Sequence, residues 1–590
     1  IFAMALPAPG PGPTAHIAWN ALGAAAYIVW SLLSSAALQR AYRRLAGVDA
    51  LRATARLFES RAGIVESTGA DEPMQAWIGD ELALAERLQS ARDLVFDAPD
   101  NARSRRDTAI LLQAIDLRDV LLASRLDLDL LGRDEHGRRL LERIAATLRQ
   151  IARALDAAAD ALRDGVPPRE PAPIDVSACF TGAVLPAGDP RVRLLPAIES
   201  RLQRLAADVQ RVHGLLRGSE AEALPLSRDQ LRLFVAPEGW PLAALRAQLS
   251  GQSPVLRHAV RMAVALGSSY YLAPLLPWTS HPHWLVLSVA VVLRGNLEQT
   301  LSRRNARVLG TMLGCLAVLL LANTSSTLVL TLVFLAAVGT AHSFVMVRYW
   351  VTAAAASVMA LLQAHLVDPA SAFAIGERVA DTLLGAALAW AFSYVLPSWE
   401  RRSLPQAIAR ALAALRGYAR HALAVDAGAG VEPRLARRKA YDALGAVAAA
   451  VRRSSAEPKS VRLPIAEVSE LLDHAQRLMA HLSVVRLTLA RGGEDLARPE
   501  AAAALQAAAN ALRSYLDAEQ EPTGAGVDPP GLDRLPEAPP QKDALPWLLR
   551  RLEVTVHDAW RVHGAARAAL AKLRAATPPR APSPTARTPS

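Results

Sequence analysis

The apolar run between Arg307 and Arg348 constrains the fold more than any other stretch of the chain. It contains forty consecutive residues without Asp, Glu, Lys or Arg. A helix of about 20 apolar residues is long enough to cross the hydrocarbon core of a bilayer. The run therefore predicts two membrane helices, with a break at Asn323–Thr327.

An internal repeat begins at the same place. Arg307–Gly314 reads Arg-Val-Leu-Gly-Thr-Met-Leu-Gly and Arg378–Gly385 reads Arg-Val-Ala-Asp-Thr-Leu-Leu-Gly, so five of eight positions are identical. An aromatic pair opens an earlier helix in each case, His283-Trp284 before the first copy and Tyr349-Trp350 before the second. We interpret this as a 3+3 inverted repeat, an arrangement common in transporters. The alternative is that each Arg-x-x-x-Thr is ordinary interfacial anchoring and that the match arose by chance.

Six membrane helices are predicted within residues 251–402. Three uncharged runs, 262–293, 308–347 and 349–367, supply five of them, and the sixth begins near Glu377. Arginines flank every second loop, which the positive-inside rule assigns to the cytoplasm. These residues are Arg257, Arg261, Arg294, Arg303, Arg304, Arg307, Arg348, Arg401 and Arg402.

The remaining regions complete an all-α, polytopic prediction. Ala15–Leu38 is a further membrane helix, and the start at Ile1 suggests that residues 1–44 are the end of a truncated first membrane half. Residues 45–250 and 403–575 are predicted to be cytoplasmic helical domains, and 576–590 a disordered tail. Apolar residues spaced by three and four mark buried helix faces at 141–162, 198–216 and 465–482.

Composition argues against several other classes of protein. The net charge of +11 comes almost wholly from arginine, which raises nucleic-acid binding as a candidate. The arginines cluster near the ends of apolar segments, however, where membrane topology explains them, so no nucleic-acid partner is expected. The chain has two cysteines and no phosphate-binding loop, His-Glu-x-x-His or Gly-x-Ser-x-Gly motif. We therefore predict no enzyme, metal or cofactor.

The polar residues of the two motif copies are the candidate site. Arg307 and Arg378 could bind a carboxylate in bidentate fashion, and Thr311 and Thr382 could add hydroxyl hydrogen bonds. Asp381 could titrate or pair with Arg378, which lies one turn away. The alternative role for both arginines is snorkelling to the membrane interface.

Further candidates have supporting roles. Trp284, His342 and Arg348 are secondary candidates, and an interfacial role is the alternative for the histidine. Small residues allow helices to approach closely in membranes. The glycines expected to do this are Gly310, Gly314 and Gly385.

The chain resembles the FUSC family, the fusaric-acid-resistance and aromatic-acid-exporter group of bacterial inner-membrane proteins. The resemblance rests on His283-Trp284, the arginine-rich turn Arg294–Arg307, the pattern at Arg307–Gly314, and Glu377-Arg378 with Asp381-Thr382 and Gly385. It covers about 256–400, and the segment 94–130 is similar to the soluble domain of longer members. It implies inner-membrane export of organic acids, often with a periplasmic adaptor, and a homo-oligomer.

Three functional hypotheses follow. The first is a secondary efflux transporter for aromatic or other organic anions, driven by the proton motive force, with the lipid bilayer and the organic anion as its partners. The second is a passive anion channel of the same fold, because plant malate channels look distantly related. The third is a membrane-anchored scaffold whose helical cytoplasmic domains bind other proteins.

Overall fold

The computed structural model describes the chain from residue 13 to residue 575, with several gaps. The residues outside the description within that range are 68–70, 99–100, 170–172, 183–184, 187, 219–226, 236–244, 247, 252, 279, 322, 325, 346, 368–372, 425–430, 492–495, 497, 518–530, 532–533 and 538–542. The predicted tail at 576–590 also lies outside the described residues.

Sixteen long helices make up the described structure, and no strand occurs in it, which confirms the all-α prediction. They are α1 (Pro13–Glu66), α2 (Asp71–Val95), α3 (Ala102–Asp129), α4 (Glu135–Asp164), α5 (Leu195–Arg217), α6 (Pro254–Leu272), α7 (His283–Val292), α8 (Leu297–Leu320), α9 (Thr327–Phe344), α10 (Tyr349–Val367), α11 (Ile375–Phe392), α12 (Glu400–Ala422), α13 (Val431–Ser454), α14 (Ile465–Arg491), α15 (Pro499–Tyr515) and α16 (Leu545–Ala575).

The chain divides into two compact units. The membrane unit comprises residues 1–30, 239–403 and 450–463, and the second unit comprises 31–238, 404–449 and 464–590. Three described helical segments are long and apolar enough to cross a membrane: Ile17–Glu66, Thr327–Phe344 and Tyr349–Leu366.

Helix α1 changes character along its length. It is 54 residues long and does not end at the arginines that follow the apolar segment. Large apolar side chains between Ile17 and Leu38 are exposed, as expected of a lipid-facing surface. From Val48 to Val65 many of its side chains are buried in the core of the second unit.

Six helices, α6 to α11, occupy the region predicted to hold six. The breaks fall where proline, polar residues or arginine interrupt the apolar runs, and α7 begins at His283. Of these six, α9 and α10 are long and apolar enough to cross a membrane. Helix α7 is much shorter than a span, because it has ten residues and rises about 15 Å, half of the ~30 Å hydrocarbon core. Arg261 Nη2 donates to the carbonyls of Arg294 and Gly295, at 3.1 and 2.9 Å, just beyond the end of this half-length helix.

The packing of these helices follows the repeat. If α6–α8 and α9–α11 are equivalent, α7 corresponds to α10 and α8 to α11. Helix α7 packs on α11, α10 packs on α8, and the two motif helices α8 and α11 pack on each other. The second helix of each repeat thus packs on the third helix of the other repeat, as expected for two units related by a pseudo-two-fold axis.

Helix directions agree with this relation. In α8 and α10, Gly310 lies against Ala353 and Gly314 against Ser357, so residue numbers rise together and the helices are parallel. Helices α8 and α11 run the opposite way, because Thr311 meets Thr382 while Cys315, four residues further along α8, interacts with Arg378, four residues back along α11. Opposite directions for equivalent helices are the defining property of an inverted repeat.

The second unit has an extensive apolar core. The face of α4 from Leu141 to Leu162 and that of α5 from Ile198 to Val212 are buried in it, at the three-four spacing read from the sequence. These two helices pack against each other, and α5 also packs on α3. Helix α16 packs on both α14 and α15 in the same unit.

The close approach of α8 and α10 at Gly314 can be tested by mutation. A Cβ atom at this position would lie 2.8 Å from Ser357 Cβ and still closer to the Ala354 carbonyl oxygen. Overpacking costs about 1–3 kcal/mol, so we expect Gly314→Ala to lower the thermal unfolding midpoint of the purified protein in detergent. Gly339→Ala is the matched control, because a Cβ there meets nothing within 4 Å, and alanine in a helix is favoured over glycine by about 1 kcal/mol. Equal shifts for the two variants would contradict the packing.

Candidate functional site

The two repeat copies meet at their threonines. Thr382 Oγ1 lies 3.4 Å from Thr311 Oγ1, and Ser357 Oγ of α10 lies 3.3 Å from the same Thr311 atom. All three side chains are buried. Equivalent residues of two related units contact each other only near the axis that relates them, so the threonine pair marks the centre of the repeat.

The repeat arginines are buried beside this centre. Arg307 is 3% exposed and Arg378 is 1% exposed. Arg307 Nε and Nη2, and Arg378 Nε and Nη1, have no hydrogen-bond partner among the described residues. No described carboxylate forms an ion pair with either guanidinium, and the two positive charges repel each other. Snorkelling to an interface does not describe these side chains, because both are enclosed by protein.

Two buried cations without an ion-pair partner are unfavourable, and Asp381 attracts Arg378 only at longer range. An unpaired charge in a low-dielectric interior is destabilised by several kcal/mol, and an anion that accepts its hydrogen bonds relieves that penalty. The arrangement is therefore chemically suited to a carboxylate or another oxyanion between α8 and α11.

Trp284 connects Arg378 to the loop before α7. The Arg378 guanidinium carbon lies 5.0 Å from the centre of the indole ring, within the range of a cation–π contact. The His281 ring also stacks on the Trp284 ring, with ring centres 4.2 Å apart. Trp284 is 1% exposed, so the structure places this secondary candidate in the site.

Asp381 does not form the ion pair with Arg378 that its position in the sequence allows. Its Oδ1 accepts a hydrogen bond from Trp278 Nε1 at 3.3 Å, and its Oδ2 has no partner in the described part of the chain. Although Arg378 is three residues away on the same helix, its guanidinium is occupied with the indole of Trp284. The carboxylate is thus buried but retains one unsatisfied oxygen.

Glu377 is a central residue of this cluster, although the sequence indicated only that a helix begins near it. Its Oε1 accepts from the backbone N–H groups of Ser280 and His281 at 2.7 and 2.5 Å, and its Oε2 lies 2.9 Å from His281 Nδ1. It thereby fixes the loop before α7 to the start of α11. Two features of the sequence could have indicated this role. Glu377 lies one turn before Asp381, and the loop before α7 is rich in His and Trp.

The other secondary candidates lie outside this cluster. His342 Nδ1 is 2.8 Å from the Val338 carbonyl of its own helix and the side chain is exposed. Arg348 is exposed at the start of α10. Among the described residues, no group of His, Cys, Asp and Glu has the arrangement of a metal site.

Two protein-family models match parts of the chain. A family model described as fusaric acid resistance protein-like matches residues 266–392, which contain both motif copies. A second model, described as FUSC-like inner membrane protein YccS, matches residues 1–180. Both matches are to FUSC proteins, one within the membrane unit and one in the N-terminal part of the chain. This confirms the resemblance drawn from the motifs, and the FUSC proteins are a family of membrane transporters.

Individual proteins are similar to part of the chain. Inner membrane protein YccS of Escherichia coli K12 is 30% identical over 252 residues, which are 41% of this chain and 35% of YccS. Uncharacterized protein ORF2 of Neisseria gonorrhoeae is 28% identical over 222 residues, 36% of this chain and 53% of that protein. The chain thus spans about a third to a half of the length of these relatives. No solved structure matches it.

The location of the protein follows from these findings. An inner-membrane family model and an inner-membrane relative match the chain, and its described helices include apolar spans. It is a multi-pass protein of the bacterial inner membrane. The assignment of the helical domains to the cytoplasm stays a prediction from the arginine distribution.

The unpaired arginines can be tested by stability. We expect Arg307→Met to raise the free energy of unfolding of the purified protein by about 1–4 kcal/mol, because an uncompensated buried charge is replaced by an apolar chain of similar length. Arg378→Met should gain less, because it also loses a cation–π contact of about 0.5–2 kcal/mol. Denaturation in detergent without added organic anion measures both. A clear loss of stability in Arg307→Met would mean that the guanidinium is satisfied within the protein.

Proposed function

We propose that this protein exports organic anions, aromatic acids among them, across the bacterial inner membrane at the expense of the proton motive force. The observation that supports it best is the pair of buried arginines, one from each repeat, with guanidinium nitrogens that have no described partner. The family model that matches this region is named for resistance to an organic acid.

In this proposal each repeat contributes one half of the anion site. Arg307 and Arg378 bind the carboxylate, and the Thr311 and Thr382 hydroxyls between the two helices add neutral hydrogen bonds. Substrate sites of inverted-repeat transporters lie at the interface between repeats, so that rocking one repeat against the other exposes the site to either side. The α8–α11 contact is such an interface.

Asp381 is the proton-sensitive group of the proposal. Its unpartnered oxygen lies on the same helix as Arg378, so its negative charge favours the positive guanidinium and disfavours a bound anion. Protonation removes that charge and strengthens anion binding; loss of the proton weakens it. This coupling would link anion movement to the proton gradient.

Transport by site variants tests the assignment. We expect Arg307→Ala and Asp381→Asn to reduce export of a panel of aromatic acids from cells or vesicles by about tenfold or more, since loss of a charge-assisted hydrogen bond costs roughly 1.5–3 kcal/mol. Arg304→Ala is the matched control, because this neighbouring arginine donates to Asn305 rather than to the site. Wild-type export by the Arg307 and Asp381 variants would contradict the assignment.

The same assay separates the alternatives. Anion current through the purified wild-type protein that follows voltage and ignores a proton gradient would indicate a channel. No anion movement by wild type, with a protein partner co-purifying, would indicate a scaffold.

A further inference from the structure

The second unit contains a charged cavity that anion movement through the membrane unit does not use. It is about 40 Å³ in volume and lies among α2, α3 and α13. Three aspartates line it, and so do five arginines, Arg92, Arg118, Arg434, Arg437 and Arg438. Arginine is thus in excess over carboxylate in the cavity wall.

Two of the aspartates are paired with arginines of α13. Asp119 Oδ2 lies 2.5 Å from Arg437 Nη2, and Asp442 Oδ2 lies 3.3 Å from Arg438 Nε. The third, Asp116, interacts electrostatically with both Arg437 and Arg434. The lining carboxylates therefore interact with the arginines of α13, and none of them forms an ion pair with Arg92 of α2.

Arg118 is positioned by groups on other helices. Its guanidinium lies 4.0 Å from the centre of the Tyr441 ring, and its Nη2 is 3.5 Å from Glu81 Oε1. The side chain is buried, and its Nε has no hydrogen-bond partner in the described residues. The Nε–H donor of Arg118 therefore remains unsatisfied despite the ion pair and the ring contact.

Arg92 is a buried cavity charge without an ion pair among the described residues. It is 7% exposed, its Nε has no partner among the described residues, and its Nη1 reaches Gln89 Oε1 at 3.4 Å. Burial lowers the pKa of Arg92 to about 10, helped by repulsion from Arg118 and Arg438. The side chain remains charged at neutral pH. Asp442 and Asp119 attract it electrostatically, but neither forms an ion pair with it in the described structure.

An apolar wall completes the cavity. Phe96 and Phe234 form an edge-to-face pair with ring centres 6.4 Å apart, and both line the cavity together with Leu112 and Ile115. The site therefore offers guanidinium donors on one side and aromatic and aliphatic surface on the other. Such a combination suits an anion that carries an apolar body.

We propose that this cavity binds an organic carboxylate, with the carboxylate on Arg92 and Arg118 and the apolar body against Phe96 and Phe234. The enclosed space holds about three water molecules, which matches the three non-hydrogen atoms of a carboxylate group. In this proposal the apolar body contacts Phe96 and Phe234, which line the same cavity. This ligand site is separate from the α8–α11 site and does not depend on transport.

Benzoate binding to the purified full chain tests the proposal. Isothermal titration in phosphate-free buffer would use protein that carries both Arg307→Met and Arg378→Met, so that heat from the membrane unit is removed. We expect one benzoate per chain, and a dissociation constant that rises about 10–100-fold when Arg92→Met is added, as for a lost charge-assisted hydrogen bond. Arg139→Met, which removes an exposed arginine of α4, is the matched control and should leave binding unchanged.

Two further variants keep the result decisive whatever the stability of Arg92→Met. Arg92→Lys retains the charge but loses the two-pronged donor geometry, and Phe234→Ala removes part of the apolar wall. Both should weaken benzoate binding. Unchanged binding in both variants would overturn the proposal, as would the absence of any benzoate heat.

Inorganic phosphate defines the ligand class. We expect phosphate to compete weakly with benzoate, because it cannot use the phenylalanines. If phosphate binds as tightly as benzoate and Phe234→Ala affects neither, the cavity is a plain oxyanion site and the carboxylate assignment is wrong.

Discussion

Two guanidinium groups without an ion-pair partner among the described residues lie inside the packed helices of the membrane unit, and the surrounding architecture depends on accommodating them. Arg307 and Arg378 enter from opposite directions on antiparallel helices, on either side of the Thr311–Thr382 contact. A buried charge is tolerated where it has a partner or where function requires one to arrive. The described side chains supply a cation–π contact for Arg378 but no carboxylate for either arginine.

Close helix packing makes this burial feasible. Gly314 and Gly385 place the backbones of α8 and α11 against α10 and α7, where a single added Cβ would collide with a serine of the neighbouring helix. In a membrane such packing replaces the hydrophobic effect as the force between helices. The half-length α7 then ends inside this packed environment, where Arg261 binds the carbonyls that follow it.

Arginine serves three different physical roles in this protein. At loop ends it sets membrane topology. Beside the repeat axis it supplies positive charge inside protein, and in the second unit it exceeds the aspartates around a small cavity. The three roles share one residue type because guanidinium stays charged when buried and offers several donors. Composition alone cannot separate these roles, since each adds the same charge to the total.

The sequence by itself determined the helical class, the membrane region, the six helix positions, and the residues that the two repeat copies share. Uncharged runs and three-four spacing report whether each segment faces lipid, water or protein, so they can be read locally. Tertiary structure decided which side chains meet. Asp381 accepts from Trp278 rather than pairing with Arg378, Glu377 binds the loop before α7, and the Nε of Arg92 is left without a described hydrogen-bond partner. These contacts depend on how helices distant in sequence cross and rotate, which no local pattern encodes.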